Sequence, residues 1–167
     1  MSKTITAIFD TRGASDFALR NLDNAGFTKN QVTMLVSEET RGKHFGIDKG
    51  SNLEKGAATG AALGGLVGTL YLALASAGTL IVPGLNLVVS GALIGSLAGL
   101  GAGAVSGGLI GALIGMGIPE YEAKLYEEKV RKGAILIAVE AIDDIRADRA
   151  KSILEDANAL SITSIAA

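Results

Sequence analysis

Few residues of this chain are of the types that carry chemistry, and those few are not arranged to do it. There is one histidine, His44. A metal ion or a proton-transfer relay needs partners beside it, and its polar neighbourhood offers none, so His44 reads as a surface residue. There are no cysteines, which excludes disulfides, thiolate metal sites and cysteine nucleophiles. Four carboxylates, Glu120, Glu122, Glu127 and Glu128, share a stretch with Lys124, Lys129, Arg131 and Lys132. At helical spacing Glu120 and Lys124 form an i,i+4 pair in the favourable order. The stretch therefore reads as a solvated helix and not as a general acid paired with a base. Gly99-Leu100-Gly101-Ala102-Gly103 has the glycine density of a phosphate loop. It lacks the preceding strand and the Lys-Ser/Thr or ribose-binding acid that such loops need. No catalytic, cofactor-binding or metal-ligating residue is assigned, and the chain is expected to be non-enzymatic.

The informative residues are glycines. From Gly56 to Pro119 the chain runs 64 residues without a charge, and 17 of its 23 glycines lie there. Gly56, Gly60, Gly64 and Gly68 form one i+4 series. Gly91, Gly95, Gly99, Gly103, Gly107, Gly111 and Gly115 form a second. Glycine inside a helix costs roughly 0.8–1 kcal/mol against alanine, so seven in one helix cost about 6 kcal/mol. Close helix packing must offset that loss, and an i+4 row of glycines clears one face for another backbone. An i+4 row also drifts by about 40° per step, hence about 240° over the six steps from Gly91 to Gly115. A single partner helix does not cover such a spiral, whereas several neighbours do. Both rows are expected to be helix-packing surfaces of a homo-oligomer.

Ala57 to Gly78 suits one helix of 22 residues, roughly 33 Å long, close to the bilayer core of about 30 Å. Pro83-Gly84 breaks it. Leu85 to Ile118 gives 34 residues, about 51 Å if continuous. The expected unit is a helical hairpin over 56–118 with an uncharged tip at Thr79 to Asn86. A polar loop over 38–55 precedes it, and an amphipathic helix over 119–132 follows, with Tyr121, Leu125 and Val130 on its apolar side. The loop cations Arg41, Lys43, Lys49 and Lys55 would suit anionic lipid heads. Their acidic neighbours Glu38, Glu39, Asp48 and Glu54 dilute that charge.

The flanks read as an ordinary folded domain in two halves, 1–37 and 133–167. Ile5, Ala7 and Phe9 alternate with Thr4, Thr6 and Ile8, a strand pattern. A helix capped by Thr11 or Ser15 follows, with Phe17, Ala18, Leu22 and Ala25 on one face and Gly26 at its end. Val32, Met34 and Val36 mark a second strand. After Gly133, Ile135, Ile137 and Val139 mark a third. A helix capped by Asp143 or Asp144 then carries Ile145, Ala150, Ile153, Leu154 and Ala157 on one face and ends at Asn158. Leu160 to Ile165 is the last strand. The order β-α-β, β-α-β predicts a ferredoxin-like α+β sandwich, four antiparallel strands with two helices on one face. The other face, with Thr6, Ile8, Thr33, Leu35, Leu136 and Ala138, is predicted to be a second subunit contact. The net charge of −2 suggests no nucleic-acid partner. The opening segment has no signal-peptide pattern.

Several segments together carry a resemblance. They are Ala7-Ile8-Phe9-Asp10, Ala25-Gly26-Phe27, Lys55-Gly56-Ala57-Ala58-Thr59-Gly60, Gly107-Gly108-Leu109-Ile110-Gly111, Met116-Gly117-Ile118-Pro119-Glu120, and Tyr126-Glu127-Glu128-Lys129-Val130-Arg131-Lys132-Gly133. On these the chain resembles the bacterial general stress proteins with a glycine-zipper hairpin, of the heat-induced stress protein type. The resemblance covers nearly the whole chain and implies a stress-associated membrane protein. It carries no catalytic residues. The expected function is a non-enzymatic homo-oligomer whose hairpins pack together in or on the cytoplasmic membrane, with both termini cytoplasmic. Alternatives are a soluble assembly whose hairpins bury each other, a pore, or a ligand-sensing ferredoxin-like domain. No cofactor is expected; the partners are the chain itself and membrane lipid.

Overall fold

The computed structural model describes residues 3–37, 39–40, 79–82, 87–91, 109–111, 113–115 and 117–166. The protein is α+β. Strand β1 (Lys3–Phe9), helix α1 (Arg12–Asn24), strand β2 (Val32–Ser37), strands β3 (Thr79–Val82) and β4 (Leu87–Gly91), helix α2 (Glu120–Arg131), strand β5 (Ile135–Ala141), helix α3 (Asp144–Asp156) and strand β6 (Ser161–Ala166) follow in chain order. One antiparallel sheet runs β3-β4-β2-β5-β1-β6.

Helix boundaries follow local chemistry. The Thr11 hydroxyl accepts from Ala14 N–H at 3.3 Å and caps α1, and the Asp143 carboxylate accepts from Arg146 N–H at 2.7 Å and caps α3. Each such cap contributes about 1 kcal/mol. Both helices end in the six-to-one turn that a left-handed residue permits. Phe27 N–H reaches Leu22 C=O at 3.0 Å and Ala159 N–H reaches Leu154 C=O at 3.3 Å. Asn158, at φ 59°, takes the turning position of the second. Pro119 lies one residue before its expected place, at the N-cap of α2.

Strand alternation sorts the sheet into two buried faces. Ile5, Ala7 and Phe9 of β1, Val32, Met34 and Val36 of β2, and Ile135, Ile137 and Val139 of β5 pack with Ala18, Leu19 and Leu22 of α1 and Ala150, Ile153 and Leu154 of α3. Each large side chain among them contributes about 1.5–3 kcal/mol by burial. Arg146 stacks over the Phe27 ring at 4.3 Å and donates to Gly26 C=O at 3.0 Å, tying α3 to the end of α1. Two members of the predicted helix faces lie outside this core: Phe17 is 50% and Ile145 81% exposed.

The opposite face is not the bare subunit contact expected for it. Ile8, Leu35 and Leu136 are covered by Ala123, Tyr126 and Val130 of α2 and by Leu109, Leu113 and Ile118. Thr6, Thr33 and Ala138 are buried as well. The inward side of α2 is therefore Ala123, Tyr126 and Val130, whereas Tyr121 is 79% exposed.

The apolar run also departs from a continuous helical hairpin. Thr79–Val82 and Leu87–Gly91 are strands, and β4 pairs with β2 from Thr33–Gly91 to Ser37–Leu87. The physical reason is local: Thr79, Ile81, Val82, Val88 and Val89 are β-branched, which stiffens χ1 and favours pleated backbone. The paired ends Val82 and Leu87 are separated by four residues in sequence, a spacing common between antiparallel neighbours. Thr79–Val82 of the expected tip is thus part of the sheet; the rest of the tip lies outside the described residues. The expected helix from Ala57 to Gly78 and the loop cations Arg41, Lys43, Lys49 and Lys55 lie outside the described residues, as does His44.

Candidate functional site

The second glycine row can be followed at its two ends. Gly91 is the last residue of β4, paired with Thr33 at φ +112°, and so is not part of a helical packing row. Gly111 and Gly115 are helical. Leu109 and Leu113, on the same stretch, are 4% and 1% exposed and packed on the sheet. Residues two apart on a helix point about 200° away from each other. Gly111 and Gly115 accordingly face away from the core; Gly111 is half-buried and Gly115 exposed, beside Ile114 at 42%. Gly56, Gly60, Gly64, Gly68, Gly95, Gly99, Gly103 and Gly107 lie outside the described residues.

The helical stretch is tied to the domain by its C-terminal turn. Gly117 N–H donates to Ile114 C=O at 2.8 Å and Ile118 N–H to Leu113 C=O at 3.0 Å. Gly117, at φ +90°, makes this turn possible.

On the same side of the sheet a polar chain joins α2 to β6. The Tyr126 hydroxyl and Thr163 Oγ1 lie 2.8 Å apart, and Thr163 in turn donates to the Glu122 carboxylate. Since the threonine proton is committed to Glu122, Tyr126 is the donor in its own bond. Thr6 donates to Thr163 C=O at 3.4 Å. A buried tyrosine needs such a partner for its hydroxyl. The arrangement fixes one helix to an edge strand and places no reactive group at an open surface.

An open cleft of about 510 Å³ lies between the end of β1 and the C-terminal end of α2, lined by Asp10, Leu125, Glu128, Lys129, Lys132, Gly133 and Ala134. Lys132 Nζ meets Glu128 Oε1 at 2.5 Å, and this contact holds the Glu128 carboxyl below the usual carboxylate range. The predicted Glu120–Lys124 pair is present at 2.6 Å and lowers Glu120 in the same way. Both are exposed helix pairs of small energetic effect. Among the described residues no group of three or more His, Cys, Asp or Glu is placed to hold a metal ion.

One carboxylate is shifted the other way. Burial raises Asp16 above its ordinary range, only partly opposed by Arg12, whose Nε lies 3.3 Å from Asp16 Oδ2. A raised carboxyl binds its proton more tightly in the folded chain. Asp16 therefore contributes stability at acid pH that is lost as pH rises through its folded value. Asp16→Asn is expected to unfold at a higher temperature than the unmodified chain at about pH 7, with the gap closing towards about pH 4. Thermal unfolding at the two pH values tests it; a gap that widens on acidification would contradict the assignment.

Nothing in the sequence pointed to the cleft or to the Tyr126–Thr163–Glu122 chain. Both depend on which strand α2 crosses. The outward direction of Gly111 and Gly115 follows from the i+4 period only with the structural finding that Leu109 and Leu113 are inward. Comparison with known proteins found no family model, no curated protein and no solved structure that matches this chain.

Proposed function

We propose that the protein is a non-enzymatic, homo-oligomeric, stress-associated protein of the bacterial type it resembles. Its glycine-zipper segments pack against those of neighbouring copies in or on the cytoplasmic membrane. The observation that carries this is the direction of Gly111 and Gly115, which face outward from a helical stretch whose leucines are buried. A row of glycines turned away from its own core is open to close approach by another helix. The order β2-β5-β1-β6 with α1 and α3 on one face supports a ferredoxin-like core. On this reading the run 56–118 is an insertion interrupted by β3 and β4, with a glycine-rich arm of sequence on each side of them.

Among the described residues no helix is long and apolar enough to cross a membrane. The pairing of β4 with β2 returns the middle of the run to the domain. That pairing favours a second reading, an assembly in which the arms are buried by protein alone. Particle mass measured with and without detergent separates the two. A discrete large particle in plain buffer favours the second, and a monomer under both conditions overturns both. Gly111→Leu is expected to reduce the particle to smaller species while leaving the unfolding temperature of the domain nearly unchanged, because the new side chain points away from the core. Gly107→Leu should behave alike in mass. Assembly that survives either change removes the glycine row as the contact.

A further inference from the structure

We propose that β6 is a docking edge for a second copy of this chain, two β6 strands pairing antiparallel about a two-fold axis. This contact is separate from the glycine rows and does not depend on them. β6 is the outermost strand on its side of the sheet, and among the described residues nothing pairs with its outer side. Its register with β1 is unbroken from Ser161–Ile8 to Ala166–Lys3, so no bulge turns the edge away. The strand reads Ser-Ile-Thr-Ser-Ile-Ala, with no charge and no proline. Edge strands are ordinarily protected by one of these devices, and β6 has none of them. Ser164 is exposed, and Ser161, Ile162 and Thr163 are only half-buried.

The surroundings select the occupant. Glu122 and Tyr126 of α2 hold Thr163 on one face, and Ile162 packs against the core built on α1 and α3 on the other. Between these layers an extended segment lying in the plane of the sheet reaches the β6 backbone, and a helix does not. A second β6 fits by symmetry. An antiparallel pair related by a two-fold axis keeps like faces together, so a residue pairs only with one an even number of positions away. For a strand of six residues the two longest such registers are centred on Thr163 and on Ser164. In the first, Ile162 lies opposite the small Ser164 and Ile165 opposite Ser161, with the two Thr163 residues side by side. In both registers Ser164 sits at or beside the axis.

Ser164→Lys therefore places two ammonium groups near each other at the contact, whereas Ser164→Thr keeps the strand uncharged. Sedimentation of the full chain carrying Gly111→Leu is expected to give a two-chain particle, converted to one chain when Ser164→Lys is added and retained with Ser164→Thr. In the unmodified chain, amide exchange over Ser161–Ala166 is expected to slow as protein concentration rises. Mass unaffected by Ser164→Lys, with exchange independent of concentration, overturns the pairing. Open-ended polymers that grow with concentration and vanish with Ser164→Lys also overturn the closed pair, because they require β6 to dock on the opposite edge, β3. Should the Gly111→Leu background keep the full assembly, the glycine-row reading fails, and the β6 pairing is then read from a halving of mass by Ser164→Lys.

Discussion

Tyr126→Ala is expected to lower the free energy of unfolding by about 3–5 kcal/mol, the range for removing a large aromatic side chain from a core. Tyr126 is fully buried and is the largest side chain joining α2 to Ile8, Leu35 and Leu136. Truncation leaves a cavity between helix and sheet and strips Thr163 of the donor that faces it. Tyr126→Phe separates the two effects. It keeps the ring and removes only the hydroxyl, 2.8 Å from Thr163 Oγ1, at a cost of about 1 kcal/mol. Urea unfolding of the three proteins measures both differences. A single domain has about 5–15 kcal/mol in all, so the alanine variant should sit near the edge of folding and the phenylalanine variant well within it. If Tyr126→Ala costs no more than Tyr126→Phe, α2 does not pack on this face of the sheet in solution, and the face returns to being a candidate for a partner.

That face marks the boundary of what the sequence could tell. The alternation of Ile5, Ala7 and Phe9 against Thr4, Thr6 and Ile8, the caps at Thr11 and Asp143 and the turns at Gly26 and Asn158 are local signals, and local physics decided them. Helix α2 has two apolar sets. The two share Val130: Tyr121 and Leu125 complete the side expected from the sequence, Ala123 and Tyr126 the side that is buried, and only the tertiary packing of α2 on Leu35 and Leu136 selects between them. Ile145 is exposed for a related reason. Periodicity gives a face, but position within the helix decides whether the core reaches it, and Ile145 sits in the first turn of α3. The strands β3 and β4 were hidden by the absence of charge, which made a helical hairpin broken at Pro83-Gly84 the simplest description of the run. The density of β-branched residues from Thr79 to Val89 was the contrary signal. Gly91 shares the i+4 period of the row but belongs to a strand.

Gly117→Ala is expected to lower the free energy of unfolding by about 2–4 kcal/mol. Two costs combine. Gly117 has φ +90°, a region in which a Cβ meets the following carbonyl, with a penalty of roughly 1–2 kcal/mol. A Cβ built there would also lie 2.7 Å from Ile165 Cγ2, and Ile165 is 8% exposed and part of the α2-side core. Relief requires rotating Ile165 within its packed site or moving β6 or the turn that holds Ile118 N–H on Leu113 C=O at 3.0 Å. Gly13→Ala is the control, since a Cβ at Gly13 meets nothing within 4 Å and lies in the first turn of α1. It is expected to be neutral or to stabilise by about 0.4–1 kcal/mol through the unfolded chain. Combining Gly117→Ala with Ile165→Ala tells strain from collision. The double variant should lose less than the sum of the two single losses, by the part of the Gly117 cost that is contact with Ile165, and should keep the part that is backbone strain. Strict additivity would mean that the turn at Gly117 moves freely against β6. The outward-facing Gly111 and Gly115 would then have no fixed orientation relative to the sheet.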